Sequence, residues 1–301
     1  MLGKKDIEKE LGKGINIYPF HPNNLKENSI NLTAGQNAWT LGKGYVIKQA
    51  RGSYSLATAS ERKNRNVIEL HKGQSAVICD KEDKYLILLP HATTIIETSE
   101  VISVGNNIGG TFHSKVGIVD QGIGHIGTML GPCFSGHLMF SLHNITDEVK
   151  TLKVGSTFVS LIFYYLRTAC DTQKNSNISG HVDKLSELGI QIDGGTREFL
   201  TAEWKQDIKQ VAYKMANSEE YINYVKMRKQ ENKSQMWSYV NARNIALFLI
   251  AATVIIVLAV GAYYIDGKNG NTVWTDRFWT VLMASVIAPL VILFGRLFKK
   301  K

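Results

Sequence analysis

The chain has only three cysteines in 301 residues, Cys79, Cys133 and Cys170, and no two of them form a C-x-x-C pair. An odd number of widely spaced thiols excludes a disulfide framework. With no histidine pair at metal-ligand spacing, no zinc site is expected either. The H-x-E and C-x-x-C signatures with which a zinc deaminase activates water are both missing. The opening MLGKKDIEKELGKG lacks the apolar stretch of a secretory signal peptide. Together these absences point to a reducing, cytosolic setting for the bulk of the chain, with no metal and no other cofactor.

Lys and Arg outnumber Asp and Glu by 35 to 26, for a net charge of +9. The basic residues are spread along the chain, and the cluster Lys226, Arg228, Lys229, Lys233 and Arg243 precedes an apolar run. An anionic membrane surface accounts for that placement, so the expected partner is a lipid bilayer and not nucleic acid. The run Asn244–Ile265 carries no charge, and Phe278–Phe298 carries only Arg296, near its end. Each is close to the ~20 residues that cross ~30 Å of hydrocarbon. Tyr263, Tyr264, Trp274, Phe278 and Trp279 lie towards the short polar connection Asp266–Arg277, as an interfacial aromatic belt would. The outer flanks are basic, ending in Lys299, Lys300 and Lys301. The expectation is a two-span hairpin, residues 244–265 and 278–298, in a bacterial-type inner membrane, with the preceding domain and the C-terminus in the cytoplasm. Neither span has an intramembrane acid or a central Lys, so a proton relay is not indicated.

Ahead of the hairpin, residues 15–166 read as short β-strands. Tyr85–Leu89, Thr94–Ile96, Val116–Val119 and Phe158–Phe163 are β-branched or aromatic runs punctuated by Gly, Asn, Pro and Asp. Asp6–Leu11 reads as a short helix. Many strands without intervening helices imply an all-β barrel or sandwich. In HLMFSLHN, alternation sends Leu138, Phe140 and Leu142 into a core and His137, Met139, Ser141 and His143 to the other face. That second face is either a solvent edge or a groove. Residues 171–198 read as a polar loop. Residues 199–243 form an amphipathic helical linker in which Trp204, Ile208, Val211, Met215, Tyr221, Tyr224, Val225 and Trp237 recur three and four apart, with one slip at Asn217-Ser218.

Five segments, in order, resemble the dCTP deaminase branch of the trimeric dUTPase-like superfamily over about residues 1–166. They are KKDIEKEL…GINIYPFHPNNLKENSINLTAG, VIELHKGQSAVI with LLPHATTIIETSEVISVGNN, GTFHSKVGIVDQG, GPCFSGHLMFSLHN, and LKVGSTFVSLIFYYL. The resemblance implies a dUTPase-like β-barrel over residues 1–170, a homotrimer, and nucleotide sites between subunits. The same resemblance places Ser141 where the deaminases carry a general-base Glu, Gly131 where the dUTPase branch carries an Asp, and Gly110 and Thr111 where the phosphate motif has Arg and Ser. Lys115 falls near the motif's second Arg. No acid lies between Asp120 and Asp147, so shifting the alignment by a residue restores neither carboxylate. A Ser hydroxyl does not accept a proton near pH 7 without its own base. No catalytic residue is therefore assigned, and the candidate ligand-binding residues are Thr111, His113, Ser114, Lys115, Gly131, Ser141 and His143.

Three functions stay open. One is a sensor-effector whose barrel binds a nucleotide or nucleotide-derived signal and acts on the hairpin, by analogy with anti-phage effectors. A second is a membrane-tethered dCTP deaminase or dUTP diphosphatase with a rearranged site. The third is a trimeric membrane scaffold.

Overall fold

A computed structural model describes residues 1–50, 53–63, 67–80, 82–124, 127–170, 182–239, 242–270 and 272–282. The chain divides into two compact units, Met1–Lys226 and Met227–Lys301. In the first, α1 (Lys4–Glu10) is followed by fourteen strands. These are β1 (Ile15–Tyr18), β2 (Ile30–Thr40), β3 (Tyr45–Ala50), β4 (Ser53–Leu56), β5 (Val67–Leu70), β6 (Val77–Asp80), β7 (Asp83–Leu88), β8 (Ala92–Val104), β9 (Ile108–Ser114), β10 (Ile123–Gly124), β11 (Met129–Leu130), β12 (Ser135–Asn144), β13 (Lys150–Lys153) and β14 (Thr157–Tyr165). The short helix α2 (Val116–Val119) lies between β9 and β10.

The main sheet runs β10-β12-β8-β2-β14-β9-β11, with β1 also paired to β8. All of its pairings are antiparallel. The mainly β, dUTPase-like architecture expected from the sequence is the one observed. Its core is filled by alternating side chains. Leu138, Phe140 and Leu142 of β12 are buried together with Phe112 and Phe158. The Phe140 ring meets Phe112 and Phe158 edge-on at 5.0 and 5.6 Å, the arrangement that ring quadrupoles favour. Strand β8 meets a bulge on each side: β2 slips against it between Ala34 and Ala38, and β12 slips against it between His137 and Met139.

One run expected as a strand is a helix. Val116–Val119 follows the end of β9, and Val119 N and Asp120 N donate back to Lys115 O and Val116 O at 3.1 and 2.9 Å. Val116 is 75% and Val119 51% exposed while Ile118 is buried in the main core, so the run offers one apolar side chain to the core, pairs with no described strand and satisfies its backbone locally.

Within 171–198, expected as a polar loop, the chain forms α3 (Val182–Glu187) and begins α4 (Gly194–Thr201); the helical segment expected over 199–243 continues from the end of α4 through α5 (Glu203–Gln206), α6 (Ile208–Ala216) and α7 (Glu219–Tyr239). The slip in periodicity at Asn217-Ser218 is the break between α6 and α7. Two further breaks, at Ala202 and Asp207, re-aim the chain so that Val211 and Met215 are fully buried. Met215 Sδ accepts a hydrogen bond from Ile17 N at 3.1 Å. Trp204 packs edge-on against Tyr18 at 5.8 Å. Tyr221 and Tyr224 close on Phe20 at 5.5 and 5.3 Å and donate to Leu11 O and Glu8 Oε1.

The second unit contains α8 (Ala242–Asn269) and α9 (Val273–Leu282). Here the expectation of two transmembrane helices is overturned: among the described residues, no helix is long and apolar enough to cross a membrane. The first apolar run, 244–265, falls within α8, where the apolar stretch ends at Asp266. Helix α9 has ten residues and rises about 15 Å. The remainder of the second run, 283–298, lies outside the described residues. The bilayer partner and the multi-pass inner-membrane placement rested on those spans and are corrected with them. Asp266 is 4% exposed, and its carboxylate accepts from Trp274 N and Thr275 N at 2.9 and 2.5 Å. The connection is thereby tied to the first turn of α9, where a carboxylate meets free N–H groups.

Candidate functional site

The alternation in β12 holds for Met139, Ser141 and His143, which leave the core face while Leu138, Phe140 and Leu142 enter it. A cavity of about 370 Å³ opens between β12, β11 and α3, with residues of both β12 faces in its lining. Ser141 and Gly131, distant in sequence, both line it, together with Thr128, Met139, Lys184 and Leu185. Helix α3 is held there by Leu185 and Val182, which are buried with Trp39, Ile95, Ile190 and Leu200. Among its described lining residues the cavity has no carboxylate, and Lys184 is its one charged group.

The other candidate residues are not among those lining this cavity. Thr111 pairs in register with Met129, a lining residue, and Thr111 Oγ1 meets His113 Nε2 at 3.2 Å. Ser114 ends β9 opposite Val159. Lys115 caps α2, and its Nζ donates to Thr157 Oγ1 at 2.5 Å. His143 lies near the far end of β12, with Nδ1 2.9 Å from Thr93 Oγ1. Within one chain, Gly131 and Ser141 share a pocket, Thr111 and His113 form a pair, and Ser114, Lys115 and His143 each meet a residue outside the candidate set.

Two glycines differ in what they permit. A Cβ built at Gly131 meets nothing within 4 Å, so packing does not exclude an Asp there. A Cβ at Gly110 would lie 2.7 Å from Leu161 Cδ1 and 2.9 Å from Ile162 O. No larger side chain fits that position without moving the β14 backbone.

Sequence reading missed a buried ionisable cluster next to the β12 bulge. His137 is 2% exposed, not on an open face, because Phe199 of α4 covers it with ring centroids 5.2 Å apart. Its Nδ1 lies 3.1 Å from Thr98 O. Burial, followed by the nearby Lys205 ammonium, pushes its pKa down to about 3. Lys205, itself 2% exposed, stands over the Phe199 ring at 3.4 Å and donates to Phe199 O. Burial lowers its pKa to about 8 against the opposing pull of Glu97. Glu97 and Glu100 are 1% and 2% exposed, and burial pushes both carboxyls up to about 7. Glu100 accepts from Thr33 N and Thr33 Oγ1 at 2.9 and 2.8 Å. Glu97 Oε1 accepts from Gln36 N at 3.2 Å and Asn37 Nδ2 at 2.9 Å. The available signal was two acids inside IIETSEVISV, a run otherwise suited to burial on both faces.

A family model described as dCTP deaminase-like matches residues 1–166. No curated protein matches the chain. Among solved structures, it is similar to a 2'-deoxycytidine 5'-triphosphate deaminase from Agrobacterium tumefaciens, at 13% identity and a TM-score of 0.36, over 54% of this chain and 45% of that one. It is similar to the native EIAV dUTPase at 19% identity and a TM-score of 0.26, over 34% of this chain and 92% of that one. A Staphylococcus bacteriophage 80alpha dUTPase variant with dUpNHpp is 13% identical, with a TM-score of 0.25, over 33% of this chain and 90% of that one.

Proposed function

The chain belongs to the dCTP deaminase-like family through residues 1–166, and we propose that its barrel binds a nucleotide or nucleotide-derived ligand without deaminating or hydrolysing it. The observation that carries this reading is the absence of any carboxylate among the described residues lining the Ser141–Gly131 cavity. Attack of water on a cytosine ring or a phosphoanhydride needs a proton acceptor with a pKa near the working pH. Ser141 lacks that basicity, and no described acid lines the cavity to activate it. The packing around Gly110 leaves no room for a larger side chain, and Lys115 and Lys184 are the point charges for phosphate. Hydroxyls of Thr111, Ser114 and Ser141 and the rings of His113 and His143 supply hydrogen bonds to base and sugar. A homotrimer is part of the proposal, because residues outside the cavity lining, such as Lys115 and His143, serve a ligand best when a neighbouring subunit presents them.

The test uses the full chain with dCTP and dUTP. The expected result is a nucleotide-dependent rise in Tm with no uridine nucleotide formed from dCTP and no pyrophosphate released from dUTP. Turnover that disappears in Lys115→Ala would sink the non-catalytic reading. A flat Tm across all nucleotides would sink the binding reading and leave the domain a scaffold.

A further inference from the structure

The Ser141–Gly131 cavity carries little charge for a site that receives phosphate. Among its described lining residues, three have polar side chains, Thr128, Ser141 and Lys184, and the rest, apart from Gly131, are hydrocarbon or thioether. Lys184 is exposed and is the one cation in that lining. It shares the six-residue helix α3 with Asp183 and Glu187, which are exposed and do not line the cavity. Residues 125–126 and 171–181, outside the described set, hold one acid and one base, Asp171 and Lys174, and so add no net charge. Lys115, brought in by a neighbouring subunit of the proposed trimer, would raise the cationic count to two.

Charge matching then selects the ligand. A phosphomonoester carries about two negative charges near pH 7, which one or two lysines offset. A triphosphate carries about four, and in a mostly apolar cavity the excess loses its hydration without gaining a counterion. Magnesium commonly neutralises such an excess, held by one or two carboxylates together with the phosphates, and no carboxylate is among the described lining residues. The volume, about 370 Å³, lies near the lower end of the ~300–1,000 Å³ typical of small-ligand sites. Building on the nucleotide-binding reading, we propose that this cavity takes a nucleoside monophosphate in preference to the triphosphate. Lys184 holds the phosphate, and the exposed Thr128 and Ser141 hydroxyls bond to base and sugar.

The experiment is calorimetry on the full chain with dCMP, dUMP, dCTP, dUTP, deoxycytidine and deoxyuridine, each with magnesium and with a chelator. A monophosphate is expected to bind at least ten-fold more tightly than its triphosphate in both conditions. Lys184→Gln, at an exposed position, is expected to lower monophosphate affinity ten-fold or more and to leave nucleoside affinity unchanged. A triphosphate that binds as tightly as its monophosphate, with or without magnesium, would overturn the preference while leaving the nucleotide-binding reading in place. Full monophosphate affinity in Lys184→Gln would overturn the role of Lys184 and move the phosphate to Lys115. An equal loss of nucleoside affinity in that variant would overturn the role as well, by showing that the lysine shapes the cavity and does not meet phosphate. Absence of binding by all of these probes would overturn both the preference and the nucleotide-binding reading.

Discussion

Asn37 Nδ2 donates to Glu97 Oε1 at 2.9 Å across the bulge where β2 slips against β8. The bond ties a backbone irregularity to a buried acid, and the acid's proton affinity then becomes a property of the fold.

That link gives a pH dependence with a definite sign. Glu97 and Glu100 are raised by burial from 4.5 to about 7. The folded state therefore holds protons that the unfolded chain has released, and stability falls as pH rises from about 4.5 to about 7. Each acid contributes about 3 kcal/mol over that window. His137, lowered to about 3, works in the opposite sense below 6.5, and Lys205, lowered to about 8, does so between about 8 and 10.5. Two acids outweigh one histidine, so urea melts are expected to show the protein less stable at pH 7.5 than at pH 5, by about 3 kcal/mol. Glu97→Gln is expected to remove most of that difference. An unchanged difference in the variant would show that Glu97 titrates normally.

Gly35 sits against the same acid. A Cβ there would lie 2.5 Å from Glu97 Cγ and 2.8 Å from Oε1. Gly35→Ala is expected to cost about 1–3 kcal/mol through overpacking. Glu97→Ala should relieve the clash, so the double variant should be more stable than the sum of the single changes predicts. Strict additivity in denaturant melts would show that the two positions do not compete for space.

The mainly β domain was legible because β12 from Leu138 and β14 from Val159 alternate beyond their bulges and because turn residues punctuate the strands. The Ser141–Gly131 pairing followed from the family pattern, and both residues do line one cavity. His137 was misread because period-2 alternation assumes an unbroken strand, whereas the bulge between His137 and Met139 and the cover from Phe199 are tertiary events. The division of the helical segment was visible only at Asn217-Ser218, since Ala202 and Asp207 carry no strong break signal beyond the capping Asp. The two apolar runs satisfied a hydropathy count, yet among the described residues, which include the second run only to 282, no helix is long and apolar enough for a crossing.

Leu185 tests whether α3 belongs to the first cavity. It is 1% exposed in a cluster with Trp39, Ile95 and Leu200, and it lines the cavity beside Lys184. Leu185→Ala is expected to cost about 2–4 kcal/mol and to weaken nucleotide binding, because the helix that presents Lys184 loses its anchor. Retained affinity in a destabilised variant would assign phosphate contact to Lys115 alone.

The folding unit closes well beyond the barrel strands. The family match stops at residue 166, yet the first compact unit runs to Lys226. The difference is physical: Leu200, Val211 and Met215 are fully buried, and Met215 accepts from Ile17 N inside the main core. Tyr221 and Tyr224 cover Phe20, which is 1% exposed. A chain cut after Leu166 would expose Trp39, Ile95, His137 and Phe20 and leave Ile17 N without its acceptor, removing several large apolar burials worth about 1.5–3 kcal/mol each. That sum matches the whole stability of an ordinary domain. Residues 1–226 are therefore expected to give a cooperative thermal transition and dispersed amide resonances, whereas residues 1–166 are expected to aggregate or show no cooperative transition. A cooperative 1–166 fragment would show that the helices α3 to α7 only decorate a barrel that is stable without them.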